Sequence, residues 1–242
     1  MNTYKINKGN VKMVAHRGVS GLERENTCPA FVAAGNRSYY GIETDVHIGL
    51  DNKFIIIHDD DVASVSGGKL DMNVEQTPYS VLKDVVLPDL DGSDTRRDIR
   101  IPLVEEYVSI CKKYEKVGVL EIKGDFGYDK LKELVDEHIK PSGYLENITF
   151  ISFGYQNCLH LRALLPESKI QFLTGEYSEE LVQRLKADKL DLDIYHESLT
   201  EERVKNLHEN GIEVNCWTVD DPTAAEKYAS WGVDYITSNI LE

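Results

Sequence analysis

Two acidic residues, Glu43 and Asp45, stand two positions apart in the apolar segment GIETDVHIG. Because side chains alternate along a strand, both carboxylates should project from one face, with their Cα atoms roughly 7 Å apart. Burying these charges unpaired would be costly, whereas a Mg²⁺ or Ca²⁺ ion could bind both through carboxylate oxygens. The alternative is an edge strand whose charged face lies in water. His47 shares the face but is expected to lie one step beyond the site.

Two histidines follow other apolar segments. MVAHRG runs directly into His16 and Arg17, and KFIIIHDDD ends in His58 followed by three aspartates. Histidine suits proton transfer near neutral pH, and neighbouring carboxylates can orient its ring. These positions therefore indicate acid-base chemistry. The alternatives are a solvent-facing His-Arg pair in the first segment and a structural histidine in the second.

Glu121 and Lys123 repeat the two-residue spacing in VGVLEIKGD. Glu121 could complete a metal site with Glu43 and Asp45, and Lys123 could bind a phosphate oxygen. The alternative is an ordinary salt bridge at the end of a strand. Trp217, in NCWTVD, ends a further apolar segment. It is either a core residue or, at the mouth of a barrel, a side chain that stacks on a substrate headgroup.

The elements that must position these residues follow a repeating pattern. Short apolar, β-branched segments alternate with amphipathic segments, which is typical of β-α units and a parallel sheet. Strands are expected at residues 11–15, 41–47, 54–58, 117–122, 148–152, 170–174, 192–195, 214–219 and 235–237. Helices are expected at residues 27–40, 103–114, 128–138, 156–165, 179–186, 201–210 and 222–230. The pattern predicts a (β/α)8 TIM barrel, in which the carboxyl ends of the strands face the active site.

One expected strand exceeds the eight that the barrel needs. Only IGLDNK separates residues 41–47 from residues 54–58, which is too short for a helical crossover. Residues 54–58 should therefore be an antiparallel hairpin partner or a continuation of the second unit. The polar residues 59–102 are expected to form a loop-rich insertion without a core of its own, after the second strand unit, within a single domain of residues 1–242.

The sequence ends directly after the last expected strand. An eighth helix should therefore be missing or very short. The N-terminal segment is then expected to cover that strand.

Composition limits the partners. The formal net charge of −15 weighs against broad binding to nucleic acid or to an anionic membrane. No segment approaches the length of an apolar membrane span and no signal peptide is visible, so a cytoplasmic protein is expected. A phosphate-bearing substrate would need local positive charge, from a bound cation or from well-placed arginine and lysine side chains.

Five short motifs in this order resemble the signature of glycerophosphodiester phosphodiesterases. They are His16-Arg17-Gly18, Glu25-Asn26-Thr27, Glu43-Thr44-Asp45, His58-Asp59 and Glu121-Ile122-Lys123. The segments IPLVEEYVSICKKY and GVDYITSN are also similar to parts of the family pattern. The chain departs from it at Gly49, where a threonine is usual, in VASVSGG after His58, and at Ser238-Asn239, where an aspartate often follows the threonine.

The resemblance implies a (β/α)8 barrel that hydrolyses small-molecule glycerophosphodiesters to glycerol 3-phosphate and an alcohol. It implies one divalent cation, Mg²⁺ or Ca²⁺, on Glu43, Asp45 and Glu121. It implies phosphate binding by Arg17 and Lys123, and His16 and His58 as base and acid. Family precedent favours His16 as the base, but the residues alone leave the order open.

Two other functions use the same residues. Phospholipase D-like and phosphatidylinositol-specific phospholipase barrels have a similar histidine-metal site, but they act at membranes, usually after secretion. A non-catalytic glycerophosphodiester-binding barrel would normally lack a histidine or a metal carboxylate, and every one is present here. The alcohol headgroup, the preferred metal and the oligomeric state stay open.

Overall fold

Nine strands form one sheet in the computed structural model, which describes residues 2–242. They are β1 (Lys12–Ala15), β2 (Gly41–Ile48), β3 (Phe54–Ile56), β4 (Val117–Ile122), β5 (Ile148–Ser152), β6 (Ile170–Thr174), β7 (Asp191–Tyr195), β8 (Val214–Trp217) and β9 (Tyr235–Ser238). All except β3 pair in parallel, and β1 pairs with both β2 and β9, which closes a barrel. The predicted (β/α)8 barrel is confirmed.

The additional strand forms a hairpin. β3 pairs antiparallel with β2, in the register Val46↔Ile56 to Ile48↔Phe54. Asn52 takes a positive φ of 58° in the connecting turn, a conformation that asparagine tolerates better than most residues. Of the two alternatives for this segment, the antiparallel partner is confirmed.

Helices surround the barrel. They are α1 (Cys28–Gly35), α2 (Tyr79–Leu82), α3 (Val104–Lys113), α4 (Gly127–Glu133), α5 (Tyr155–Leu164), α6 (Glu179–Asp188), α7 (Glu201–Glu209) and α8 (Pro222–Trp231). A π-helical segment, Leu134–Ile139, continues α4. None of the helices described in residues 2–242 has the length and apolar content needed to cross a bilayer.

The first helix is shorter than expected. The helix predicted at residues 27–40 was extended too far towards the C-terminus, because α1 ends at Gly35. The Tyr40 backbone N–H donates to the Met13 carbonyl at 2.9 Å. The chain must therefore leave the helix before Tyr40 to enter β2 beside β1. Its start is as expected: the Thr27 side chain caps the helix by accepting from the Ala30 N–H, and a proline occupies the first turn.

The N-terminal segment lies beside the residues that follow β9. The Tyr4 N–H donates to the Ile240 carbonyl at 3.1 Å, and the Glu242 N–H donates to the Tyr4 carbonyl at 2.9 Å. Tyr4 and Leu241 form a parallel bridge, and Leu241 is fully buried. The N-terminal segment therefore pairs with the residues beyond β9.

The insertion is loop-rich, but the expectation that it lacks a core was wrong. It buries an apolar cluster that also includes two residues of the hairpin: Ile55, Ile57, Val62, Val65, Val74, Leu82, Val85, Leu87, Ile99 and Ile101. These residues are scattered among polar ones, so no periodic pattern revealed the cluster. Because Ile57 directly precedes His58, the cluster fixes the position of that histidine.

An apolar layer fills the barrel interior and supports the site. Val14, Val119, Ile151 and Leu173, from four strands, are buried against Tyr235. Side chains alternate along a strand, so the residues two positions further on project from the same face, nearer the carboxyl ends. Those residues include His16 after Val14 and Glu121 after Val119. The strands therefore carry the polar side chains towards the open end of the barrel.

Gly18, which follows the first histidine motif, should not tolerate a side chain. Its φ is +77°, and an added Cβ would lie 2.6 Å from the Ala30 Cβ. We expect Gly18→Ala to cost about 1 kcal/mol for the conformation and about 1–3 kcal/mol more for crowding. Gly67→Ala is the control, since φ there is +66° but nothing lies within 4 Å. Chemical denaturation would measure both, and equal losses would contradict the crowding argument.

Candidate active site

Three carboxylates converge at the open end of the barrel. Glu43 and Asp45 come from β2 and Glu121 from the adjacent strand β4, where Asp45 and Glu121 are register partners. Their exposed fractions are 3%, 1% and 7%. One carboxylate oxygen from each lies within 4.8 Å of the others. The structure therefore brings together the three residues that the sequence indicated for a metal.

The three buried carboxylates repel one another. Burial, with Asp45 and Glu121 nearby, raises the pKa of Glu43 well above its usual value. Burial and Asp45 likewise raise the pKa of Glu121 to about 8. Burial would also raise the pKa of Asp45, but Lys123 and Arg17 lower it below its usual value. An all-oxygen set with this repulsion could hold one divalent cation, because the cation would offset the excess negative charge.

Two basic side chains lie against this trio. The Lys123 Nζ lies 3.0 Å from the Glu121 Oε1 and 3.4 Å from the Asp45 Oδ1. The Arg17 Nε lies 3.6 Å from the Asp45 Oδ2, while its Nη1 donates to Glu25 at 2.8 Å. The Arg17 backbone N–H also donates to the Glu43 Oε2 at 2.7 Å. Arg17, which follows β1, therefore links the end of that strand to β2.

Asn26 has a positioning role that the sequence reasoning missed. It is 3% exposed, and its Nδ2 donates to the Asp45 Oδ2 at 2.8 Å. Its Oδ1 accepts from the Thr44 Oγ1 at 2.7 Å, which fixes the amide orientation. The motif Glu25-Asn26-Thr27 contained the signal, but a motif alone does not show which oxygen its asparagine holds.

His16 is held by a network from the end of the chain. Its Nδ1 lies 2.8 Å from the Asn239 Oδ1. The Asn239 Nδ2 donates to the Asp220 Oδ2 at 2.6 Å, so the amide oxygen must face the histidine. Nδ1 therefore carries the proton, and the neutral ring has an unprotonated Nε2. Burial and the Arg17 charge lower the pKa of His16, which favours that neutral form.

His58 has the opposite environment. Its Nδ1 lies 2.5 Å from the Asp59 Oδ1, so a carboxylate stands where His16 has an amide. A hydrogen bond from Ser64 and the neighbouring His58 lower the pKa of Asp59, which favours an ionised partner. The Asp59 carboxylate accepts from the ring nitrogen and so orients the His58 imidazole. The two histidine rings are therefore held by different partners, an amide at His16 and a carboxylate at His58.

His47 lies outside the cavity but contacts the second histidine. It is 2% exposed, and its Nε2 lies 3.0 Å from the His58 carbonyl oxygen. Because a carbonyl can only accept, the Nε2 of His47 must donate. His47 is thus placed beyond the site as expected, where it holds the His58 backbone.

A cavity of ≈ 160 Å³ joins these groups. Its polar lining includes both histidines, Arg17, Glu43 and Glu121, and its apolar lining includes Phe153 and Trp217. Lys123 is absent from the lining described, and its Nζ is paired with Asp45 and Glu121 instead. A larger open cavity of ≈ 650 Å³, between α6 and α7, contains none of the residues singled out above.

Trp217 faces this cavity. Its ring packs 5.7 Å from the ring of Phe153 and 5.7 Å from that of Tyr195. Its Nε1 is buried and has no hydrogen-bond partner among residues 2–242. Trp217 therefore combines features of both alternatives, since it packs against the apolar layer inside the barrel and also lines the cavity.

Asp193 is a further residue that the sequence reasoning missed. This buried aspartate of β7 lines the same cavity. The segment DLDIY alternates acidic and apolar residues, which places Asp191 and Asp193 on one face. That alternation could have revealed two inward carboxyls, but not which of them reaches the cavity.

Comparisons with known proteins agree with this geometry. Residues 16–241 match the sequence model of the glycerophosphoryl diester phosphodiesterase family. The chain is 26% identical over 239 residues to a glycerophosphodiester phosphodiesterase from Caldanaerobacter subterraneus subsp. tengcongensis, which covers 94% of this chain and 93% of that protein.

Solved structures give the same result. A glycerophosphodiester phosphodiesterase from Parabacteroides distasonis is similar with a TM-score of 0.78 and 28% identity, over 95% of this chain and 93% of that one. A phosphodiesterase from Oleispira antarctica, solved in complex with the product sn-glycerol-3-phosphate, shares the fold with a TM-score of 0.81 and 24% identity. That alignment covers 98% of this chain and 96% of the other.

The raised carboxyl pKa values predict how pH affects the metal-free protein. Folding raises the pKa of Glu121 from 4.5 to about 8, so the folded state binds more protons than the unfolded state between these values. The melting temperature of the chelated protein should therefore fall as the pH rises through this window. Glu121→Gln should weaken the fall, and Mg²⁺ or Ca²⁺ should reduce it in the wild type.

The exposed residue Glu137 offers a matched control, because Glu137→Gln removes one carboxylate away from the site. Scanning calorimetry at several pH values would measure all three proteins. A pH dependence that is unchanged in Glu121→Gln would contradict the repulsion between the site carboxylates.

Proposed function

The chain belongs to the glycerophosphoryl diester phosphodiesterase family, and on that premise we propose that it hydrolyses glycerophosphodiesters with His16 as base and His58 as acid. The match to the family model confirms the resemblance carried by the five motifs, and the family consists of phosphoric diester hydrolases. The products would be glycerol 3-phosphate and an alcohol. The observation that carries the proposal is one cavity lined by two histidines with opposite partners, next to three buried carboxylates.

The site residues fit one divalent cation. Glu43, Asp45 and Glu121 would hold Mg²⁺ or Ca²⁺, since their oxygens converge and their charges exceed those of Arg17 and Lys123. The cation would supply positive charge to a phosphoryl oxygen. This charge would also explain how a protein of net charge −15 accepts an anionic substrate.

His16 would activate the nucleophile. Its unprotonated Nε2 can accept a proton from water while the water oxygen forms a bond to phosphorus. The neighbouring Asn239 keeps the ring in this tautomer, because its own amide nitrogen is held by Asp220. A neutral amide, unlike a carboxylate, adds no charge that would favour the protonated ring in the free protein. This environment supports the base role.

His58 would complete the reaction as the acid. Its proton would pass to the leaving alkoxide oxygen as the bond between that oxygen and phosphorus breaks. Asp59 would orient the His58 ring for that step by accepting from its Nδ1. General acid-base groups of this kind contribute about 10²–10⁴-fold each.

The two basic residues would have different tasks. Arg17 lines the cavity, and its buried Nε has no hydrogen-bond partner among residues 2–242, so it can bind a phosphoryl oxygen. Lys123 lies against Asp45 and Glu121 instead. We therefore assign Lys123 to neutralising the carboxylates, and direct phosphate binding to Arg17. Trp217, at the cavity mouth, would contact the alcohol headgroup.

A release assay would test the activity as a whole. Glycerophosphocholine, glycerophosphoethanolamine and glycerophosphoglycerol would be supplied after EDTA treatment, and Mg²⁺ or Ca²⁺ would then be added back. We expect glycerol 3-phosphate only with a cation. Lysophosphatidylcholine in the same assay would detect a phospholipase D-like activity, while ligand binding without hydrolysis under every condition would indicate a binding barrel.

Leaving-group dependence distinguishes the two histidines. We expect His16→Ala and His58→Ala each to lower kcat by about 10²–10⁴-fold on glycerophosphocholine. An ester of glycerol 3-phosphate with 4-nitrophenol releases a phenolate that needs no proton. On this ester, His58→Ala should recover most of its activity and His16→Ala should not. The reverse pattern would exchange the two roles.

The amide that holds His16 offers a separate test. Asn239→Leu should lower kcat by about tenfold, the order of one lost hydrogen bond, with little change in KM. Asn206→Leu is the control, since that side chain bonds Tyr177 and Glu179 on the surface. Steady-state kinetics would measure both. A change confined to KM would show that Asn239 binds substrate instead of orienting the base.

A further inference from the structure

Asp193 has no role in the steps above, yet it lies in the same cavity. This residue of β7 is 2% exposed and lines the cavity together with both histidines and Glu121. Its Oδ1 has no hydrogen-bond partner in the part of the chain that the structure describes. A buried polar atom without a partner costs free energy. The cavity therefore contains an oxygen that is free to bind a ligand group.

The neighbours of Asp193 do not compensate a charge. Its register partners are Leu173 on β6 and Asn215 on β8. Burial first, and then Glu121, raise the pKa of Asp193 well above its usual value, although the Asn215 amide acts in the opposite direction. A neutral carboxyl has both a donor and an acceptor, and it does not repel a phosphate.

The position of Asp193 gives the cavity a direction. The register pairs Asp193 with Asn215 and, two residues further on, Tyr195 with Trp217. Asp193 therefore lies one inward-facing layer deeper than Trp217, which stands at the mouth beside Phe153, itself 50% exposed. A phosphodiester placed between the histidines would extend one ester group towards this floor and the other towards the mouth.

We propose that Asp193 binds a hydroxyl group of the glycerol moiety, so that the glycerol end of the substrate occupies the floor and the alcohol faces the mouth. This assignment rests on the proposed hydrolysis of glycerophosphodiesters. The floor of a cavity of ≈ 160 Å³ suits a small end group, and glycerol is the end that all these substrates share. A glycerol hydroxyl can donate to the unpartnered Oδ1 of Asp193.

A double-mutant-type cycle tests this contact by removing the substrate hydroxyl, the Asp193 carboxyl, or both. The substrates are glycerophosphocholine and two analogues, one without the secondary hydroxyl (3-hydroxypropyl phosphocholine) and one without the terminal hydroxyl (2-hydroxypropyl phosphocholine). For the wild type, we expect kcat/KM to fall about fivefold to tenfold when the bound hydroxyl is removed. Asp193→Leu should cause a similar fall on glycerophosphocholine and no further fall on the analogue without that hydroxyl.

Controls separate this contact from a change of shape. Asp191→Asn is the control on the same strand. The Asp191 carboxylate accepts from the Glu213 N–H, and Asp191 is not part of the cavity lining described. This variant should leave the substrate preference unchanged. Calorimetry should show that Asp193→Leu folds, because the unpartnered oxygen is removed. The wild-type preference between substrate and analogues needs no variant, so it tests the proposal even if Asp193→Leu does not fold.

Three results would overturn the assignment. The wild type could process glycerophosphocholine and both analogues equally well. Asp193→Leu could lower kcat/KM equally on all three substrates, which would show that Asp193 maintains the shape of the cavity and does not bind a hydroxyl group. The fall in kcat/KM caused by Asp193→Leu could instead depend on the alcohol, so that it differs between glycerophosphocholine and glycerophosphoglycerol. A wild type that releases no glycerol 3-phosphate from any diester would instead refute the proposed function, and this proposal with it.

Discussion

Mutual repulsion among Glu43, Asp45 and Glu121 is the constraint on which the rest of the site depends. The barrel holds three carboxylates that are buried and close to one another. Burying these negative charges together costs folding free energy unless positive charge or hydrogen bonds offset it. Asn26, Arg17 and Lys123 supply part of the compensation. A bound cation would offset the remaining repulsion, so the instability of the trio and its proposed function have the same physical origin.

Much of the barrel could be predicted because local patterns determine it. Each expected strand is present, since alternation and β-branched segments depend only on neighbouring residues. The residues at the carboxyl ends of β1, β2 and β4 could be singled out for the same reason, because a polar group at the end of an apolar segment is visible without tertiary structure. Closure of the barrel then brings these ends together.

What could not be predicted depends on contacts between distant segments. Asn239 reaches His16 only because β9 pairs with β1, in the register Ala15↔Ser238. Asp193 is one of two aspartates on the same face of β7, and only the tilt and depth of the strand decide which one meets the cavity. The core of the insertion combines apolar residues spread over a long polar segment with two from the hairpin, so no single window contained its signal.

The location of His58 separates two properties of the site. Its preceding residue, Ile57, belongs to the apolar cluster of the insertion, and His47 holds its backbone from β2, whereas the three carboxylates stand on strands of the barrel. On the proposed roles, sequence change in the insertion would alter the position of the acid His58 without changing the residues that would hold the cation. Related enzymes could diversify in the esters they cleave through residues 59–102, with the barrel strands kept unaltered.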